Sequence, residues 1–431
     1  MLQIANNKVV KNAFWMIACK IIQMLLNLVV SILSARFLGP SGYGLLNYAA
    51  SIVVFITPLT YLGFNSVLTR ELLAAPDKEG ETLGTSILLS LPCSICCILG
   101  IAAFVSIANP NEPMTLAVCT LYSILLIFQA LELVQYWFHT HLKSKYPSVI
   151  MLLAYIPTSA YKIYLLFAGK SIYWFAVAQA LDYMMIALAL LFLYKKTGGQ
   201  RLSFSFATAR GMLSRSKHYI IANMMISIFS QMDKILLKVM IDDAALGLYS
   251  AALVCSGASS FVFGAIIDSA RPAILTSKQI DEARYEEHVT RLYSVITYLS
   301  LAQCVAIIVL APIMIRLFYG EQYMSAITVL RIAILSTPFS YFGAVRGVWL
   351  LAEEKQKYLW VMNLSGAVLN IVLNVIFISY WGILGAAIAS VLTQFFTNVV
   401  MNMIIRPTRR NNTLMLKGLN PKFLINMIKK A

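Results

Sequence analysis

Twelve apolar stretches of membrane-crossing length recur along the chain, and no other feature restricts its fold so strongly. They lie at about 13–35, 44–63, 84–107, 114–137, 147–169, 171–193, 219–240, 246–270, 292–315, 324–350, 358–379 and 383–404. A helix rises ~1.5 Å per residue, so ~20 apolar residues cover a ~30 Å hydrocarbon layer. Water cannot reach backbone N–H and C=O groups inside that layer, which leaves the helix as the conformation open to separated stretches of this kind. Composition agrees, with 60% of residues hydrophobic and 12% charged. The chain is therefore predicted to be an all-α polytopic membrane protein. Lys8 and Lys11 precede the first stretch and no small-residue cleavage site follows it, so it reads as a retained first helix.

The formal net charge of +16 would suggest nucleic acid in a soluble chain. Here the cations sort by side. Of 34 Lys and Arg residues, 25 fall in connections on the side of the N-terminus, and Arg36, Lys170 and Arg316 fall on the other. The positive-inside rule then places both termini in the cytoplasm, and the charge reflects topology and anionic lipid, with no nucleic acid partner. The longest basic-side connection lies mid-chain and contains Gly198-Gly199. It divides the chain into a six-helix lobe over 1–195, a cytoplasmic linker over 196–217, a second six-helix lobe over 218–405 and a basic tail over 406–431. In the tail, Leu414, Leu416, Phe423, Leu424, Ile425 and Ile428 among lysines predict a short helix on the inner membrane surface, broken near Asn420-Pro421.

Two helices carry polar stripes. Asn223, Ser227, Ser230, Gln231, Lys234 and Lys238 fall within ~100° of one helix face, and Lys20, Gln23, Asn27, Ser31 and Ser34 within ~80° of another. Such faces do not look at lipid, where an ammonium costs at least ~2.5 kcal/mol. Each striped helix is followed by a similar opening, Gly44-Leu45-Leu46-Asn47-Tyr48-Ala49-Ala50 and Gly247-Leu248-Tyr249-Ser250-Ala251-Ala252. That offset of 203 lays Lys20 on Asn223 and Ser31 on Lys234, a parallel repeat of two six-helix halves around a hydrated chamber.

Six cations lie within the stretches: Lys20, Lys162, Lys234, Lys238, Arg331 and Arg346. With Asn27, Asn223 and Gln231, the residues Lys20, Lys234, Arg331 and Arg346 are the candidate cavity lining, offering ammonium, guanidinium and amide groups to an anionic, hydroxyl-rich cargo. Lys238 has a competing reading as a snorkelling end residue. Lys162 is a candidate salt-bridge partner of Asp182 on the next helix. Asp233 points away from the stripe and is expected to pair with a neighbouring helix; Asp182, Asp233 and Lys162 are thus coupling or structural charges. Glu132 and Asp268 read as interfacial. Pro58, Pro92, Pro157, Pro312 and Pro338 interrupt five spans. His139 and His141 read as a solvated loop, no metal site is expected, and the seven cysteines read as small buried apolar residues.

Ala35-Arg36-Phe37-Leu38-Gly39-Pro40-Ser41-Gly42-Tyr43-Gly44, Gln231-Met232-Asp233-Lys234, Tyr319-Gly320-Glu321-Gln322-Tyr323 and Gly382-Ile383-Leu384-Gly385-Ala386-Ala387-Ile388-Ala389, in that order, carry a further signal. Together they resemble the polysaccharide-transport branch of the multidrug/oligosaccharidyl-lipid/polysaccharide (MOP) exporter superfamily, above all its Wzx-type O-antigen and capsule-repeat flippases. The resemblance implies two six-helix lobes that move an undecaprenyl-diphosphate-linked oligosaccharide from the inner to the outer leaflet of a bacterial inner membrane by alternating access. It also implies membrane lipids, a polysaccharide polymerase and a chain-length regulator as partners, and no cofactor beyond an H⁺ or Na⁺ gradient. The superfamily's lipid II flippases look like fourteen-span proteins, whereas this chain offers twelve.

Two other functions compete. An ion-coupled exporter of cationic drugs would present net acid to its cargo, and this set presents net base. A membrane polymerase or ligase needs acids, bases or arginines positioned at an aqueous face. The outer connections here, such as Asn109–Pro113, are short and hold no His/Asp/Glu cluster.

Overall fold

Gly39 and Pro40 decide how the chain begins to fold. In the computed structural model, which describes residues 2–421 and 423 with side chains from residue 15 onward, helix α1 (Leu2–Thr60) is broken at Gly39, with φ 69° and ψ 175°. An L side chain rarely adopts that φ, and Pro40 brings no N–H to continue the helical ladder. The break returns Tyr43 to Ser31, their hydroxyl oxygens 2.7 Å apart, where an unbroken helix would separate them by ~18 Å.

Among the described residues, ten helices, or eleven with one bent pair, are long and apolar enough to cross a membrane. The first of these runs, Trp15–Ala74, holds both of the first two predicted spans, one on each side of Gly39; counted so, the crossings come to the predicted twelve. The bent pair, α10 (Asp243–Gly257) and α11 (Ser260–Ile280), turns by 41° where a single span was predicted. All regular elements among the described residues are helical, and the chain is a multi-pass membrane protein.

Two compact units make up the chain, Met1–Gln231 and Met232–Ala431. In the first, α1 packs on α7 (Lys145–Phe167) and on α3 (Glu79–Ala108), and α7 packs on α8 (Ile172–Lys196). Between α2 (Phe64–Ala74) and α7, one apolar run is cut into α4 (Pro113–Ser123), α5 (Leu125–Leu131) and α6 (Gln135–Thr140), with a 3₁₀ turn at Glu132–Val134. The core of this unit gathers Phe64, Leu68, Leu83, Leu133, Trp137 and Phe138.

The predicted linker over 196–217 is corrected. From Phe206 the chain is already helical, in α9 (Phe206–Met240), which extends well before the predicted start at 219. The residues ahead of it lie along the start of α3: the Ser203 amide donates to the Gly80 carbonyl (3.2 Å), the Gly80 amide to Gln200 Oε1 (3.0 Å) and the Ser205 amide to Thr85 Oγ1 (3.1 Å), while Thr208 donates to Glu81. Two glycines make this approach feasible, since a Cβ on Gly80 would sit 2.4 Å from the Arg201 carbonyl oxygen and one on Gly84 2.3 Å from that of Ser203.

In the second unit, α12 (Glu282–Phe318), α13 (Ala326–Ala333), α14 (Thr337–Ala352), α15 (Leu359–Trp381) and α16 (Ile383–Phe395) follow. α16 runs into a π-helical turn at Phe396–Val400, then α17 (Met401–Ile404) and α18 (Arg409–Gly418). Side-chain caps start α10 and α12, where Asp242 accepts from the Ala245 amide (2.7 Å) and Asp281 from the Ala283 amide (2.9 Å). Pro338 begins α14 instead of kinking it.

The tail helix packs one face on protein. Leu414 and Met415 are buried, Tyr293 of α12 donates to Asn411 (2.9 Å), and Arg410 bridges Glu282 and Glu286. Leu416 is exposed, and Leu424, Ile425 and Ile428 lie outside the described residues. Of the cysteines, Cys19, Cys119, Cys255 and Cys304 are buried as predicted, whereas Cys96 is exposed. The loop histidines are engaged: His139 hydrogen-bonds Ser144 (2.9 Å), and His141 stacks on Trp137 and faces Glu79 (3.5 Å).

Candidate functional site

The break at Gly39 turns the polar stripe of α1 into one wall of a cavity. Asn27, Ser31 and Ser34 come from the first segment of α1, and Tyr43 and Asn47 from the segment after the break. Lys162 on α7 and Gln179 on α8 face them, with Tyr122 and Tyr155 alongside. The cavity holds about 190 Å³ and lies wholly within the first unit. Among the described residues its lining carries hydroxyls, amides, one ammonium and the apolar Val30, Leu46, Ala50 and Phe175, and no carboxylate.

Hydrogen bonds fix these groups in place. The Lys162 ammonium, 9% exposed, donates to Gln179 Oε1 at 2.7 Å, and Asn47 Nδ2 donates to the Tyr43 carbonyl at 2.8 Å. Asp182 accepts instead from Thr158 (3.0 Å), so the predicted Lys162–Asp182 salt bridge is replaced by two separate contacts. The physical reason is reach: Gln179 stands closer to Lys162 on the face of α8 and offers a neutral oxygen to it. Glu132 is also corrected. It is buried at 5% exposure on the 3₁₀ turn, with Oε1 unpartnered, and is not interfacial.

Of the predicted lining residues, Asn27 enters this cavity, joined by Lys162. Lys20 is exposed on α1, seven residues before Asn27. Asn223, part-buried on α9, is 3.5 Å from Ser66, and Gln231 donates to Ser230 (3.2 Å). Lys234 belongs to the second unit and is half-buried beside Asp233. Sequence reasoning left out Tyr43, Asn47 and Gln179. Gln179 had a usable signal, an amide inside an apolar helix, whereas Tyr43 and Asn47 become neighbours of the stripe through the Gly39 break.

In the second unit the buried charges are individually held. Asp233 accepts from the Tyr249 hydroxyl at 2.5 Å, and Tyr249 also meets Ser390 at 3.2 Å, so the predicted pairing with a neighbouring helix is to a tyrosine of α10. Lys238, 4% exposed, is paired with Asp243 at 3.0 Å and does not snorkel. Arg346 is corrected: at 4% exposure it is locked in the unit's interior, donating to the Thr397 carbonyl of the π-helical turn at 2.6 Å, and does not line water. Arg331 is exposed and donates from Nε to the Ile308 carbonyl (3.2 Å), and Asp268 is exposed and pairs with Arg271 (2.8 Å). Among the described residues no cluster of His, Cys, Asp and Glu could hold a metal ion.

The arrangement has solved counterparts. A lipid II flippase, MurJ, in an inward closed conformation matches with a TM-score of 0.74 at 14% identity, over 96% of this chain and 92% of that one. An inward-facing multidrug resistance MATE transporter of the MOP superfamily matches at 0.68 with 16% identity, over 91% and 95%. A MOP-superfamily transporter from Pyrococcus furiosus, described as having a binding pocket of reversed polarity, matches at 0.56 with 15% identity, over 93% and 96%. These likenesses establish the fold. No curated protein matches in sequence. The polysaccharide biosynthesis protein family matches residues 9–277, most of the chain, and on that match the chain belongs to the polysaccharide biosynthesis protein family.

Proposed function

We propose that the chain is a flippase that carries an undecaprenyl-diphosphate-linked oligosaccharide repeat from the cytoplasmic to the periplasmic leaflet of a bacterial inner membrane by alternating access. The observation that carries this reading is the lining of the first unit's cavity, where amides, hydroxyls and the Lys162 ammonium converge without a carboxylate. Sugar hydroxyls and phosphate oxygens find partners in such a lining, whereas an organic cation finds repulsion. At about 190 Å³ the cavity is smaller than the ~300 Å³ of a small-molecule site, so it suits one ring or phosphate group of a larger cargo. Lys20, Asn27, Asn223, Gln231, Lys234 and Arg331 complete the proposed passage, with lysine point charges weak enough to release a diphosphate. Coupling to an H⁺ or Na⁺ gradient falls to the buried acids Asp182 and Asp233, and a polymerase and chain-length regulator act on the product.

The test is leaflet exchange of a lipid-linked repeat by the full-length protein in proteoliposomes, with and without each ion gradient. Lys162→Glu, Lys20→Glu and Lys234→Glu are each expected to slow exchange by about tenfold or more, the value of one charge-assisted contact. Unchanged exchange in all three variants would overturn the proposed passage.

A further inference from the structure

A second cavity, of about 290 Å³, lies in the second unit between α11 and α12 and plays no part in the proposed passage. Ile266, Ala270 and Ile274 of α11 and Leu292 and Val295 of α12 make its walls apolar, and His288 and Arg291 stand at one end. Depth follows from helix geometry. Arg291 and Arg316 flank the apolar part of α12, ~37 Å apart along its axis, so a ~30 Å hydrocarbon layer fits between them. Arg291 and His288 are then at headgroup level, and Leu292 and Val295 begin the acyl layer beneath.

The charges around this end differ in how they are satisfied. Arg271 pairs with Asp268, Lys278 with Glu282 and Glu353, and Arg410 with Glu282 and Glu286. Arg291, exposed at the cavity, makes no ion pair or hydrogen bond among the described residues. His288 holds Ser277 through Nδ1 (3.2 Å), which leaves Nε2 for another partner. A guanidinium and an imidazole above an apolar slot match a phosphate joined to a hydrocarbon chain. The slot lies just under the ~300 Å³ of a small-molecule pocket, enough for one chain and too small for a whole lipid.

We infer that this cavity is a binding site for an anionic phospholipid, with one acyl chain between α11 and α12 and the phosphate at Arg291 and His288. Basic pockets between helices at a membrane boundary hold anionic headgroups in this way. The inference depends on neither the cargo nor the direction of insertion, so leaflet exchange can fail without touching it.

The experiment is native mass spectrometry of the delipidated full-length protein with phosphatidylglycerol, phosphatidylcholine or inorganic phosphate. The wild type is expected to retain phosphatidylglycerol over phosphatidylcholine. Arg291→Gln should cut that retention about tenfold, Arg291→Lys should restore most of it, and Ala273→Trp, which fills the slot, should abolish it with Arg291 intact. Inorganic phosphate should leave phosphatidylglycerol in place. Equal retention by the wild type, Arg291→Gln and Ala273→Trp, or full displacement by inorganic phosphate, would overturn the site.

Discussion

Asp233 shows at the scale of one residue how a spanning helix keeps an acid away from lipid. Its two oxygens are divided between the Tyr249 hydroxyl (2.5 Å) and the Lys234 backbone amide (2.9 Å), and its exposure is 7%. Removing the donor leaves an acceptor short of a partner, so Tyr249→Phe is expected to destabilise the folded protein by about 1–2 kcal/mol, read as a lower thermal unfolding midpoint in detergent. Single residues were unevenly legible in the sequence. Asn27 could be placed from helical periodicity, which reports direction around an axis. Depth along the axis and the identity of a partner are tertiary properties, and so Glu132, Arg346 and the partner of Lys162 were misread.

Contacts between elements far apart in the chain are the harder case. The stretch ahead of α9 attaches to α3 by one backbone pair, Ser203 to Gly80, and through the side chains of Gln200 and Thr85, polar residues whose partners periodicity does not report, while Gly80 and Gly84 permit the close approach. Gly84→Ala would press a methyl into the Ser203 carbonyl, at an expected cost of about 1–3 kcal/mol and with faster proteolytic cleavage between Thr197 and Ser205. A second tie joins α11 to the connection after α14, where Glu353 accepts from Lys278 (2.6 Å) and Lys355 (3.0 Å). Burial opposes ionisation of Glu353, but the hydrogen bonds from the two lysines outweigh it and hold its carboxyl below the usual range. A depressed folded-state value means that this stabilisation is complete above the ordinary carboxylate range and is lost as pH falls through the depressed value. Thermal midpoints should therefore decline at acid pH, and Glu353→Gln should flatten that decline while lowering the midpoint at neutral pH.

For the molecule as a whole, the number of crossings was legible because hydropathy over ~20 residues is a local signal. The fold class followed, and the solved counterparts agree with it. The division of the chain was less legible. Gly198-Gly199 looks like a hinge between halves, yet the residues after it are built into the first unit, whose boundary falls at Gln231 inside α9. The attachment of Ser203 and Ser205 to α3 therefore decides where the gene can be divided for separate expression. A cut at the glycine pair would send to one fragment the segment that covers the start of α3 in the other. Complementary fragments need their junction elsewhere, with the stretch through Ser205 kept on the N-terminal piece.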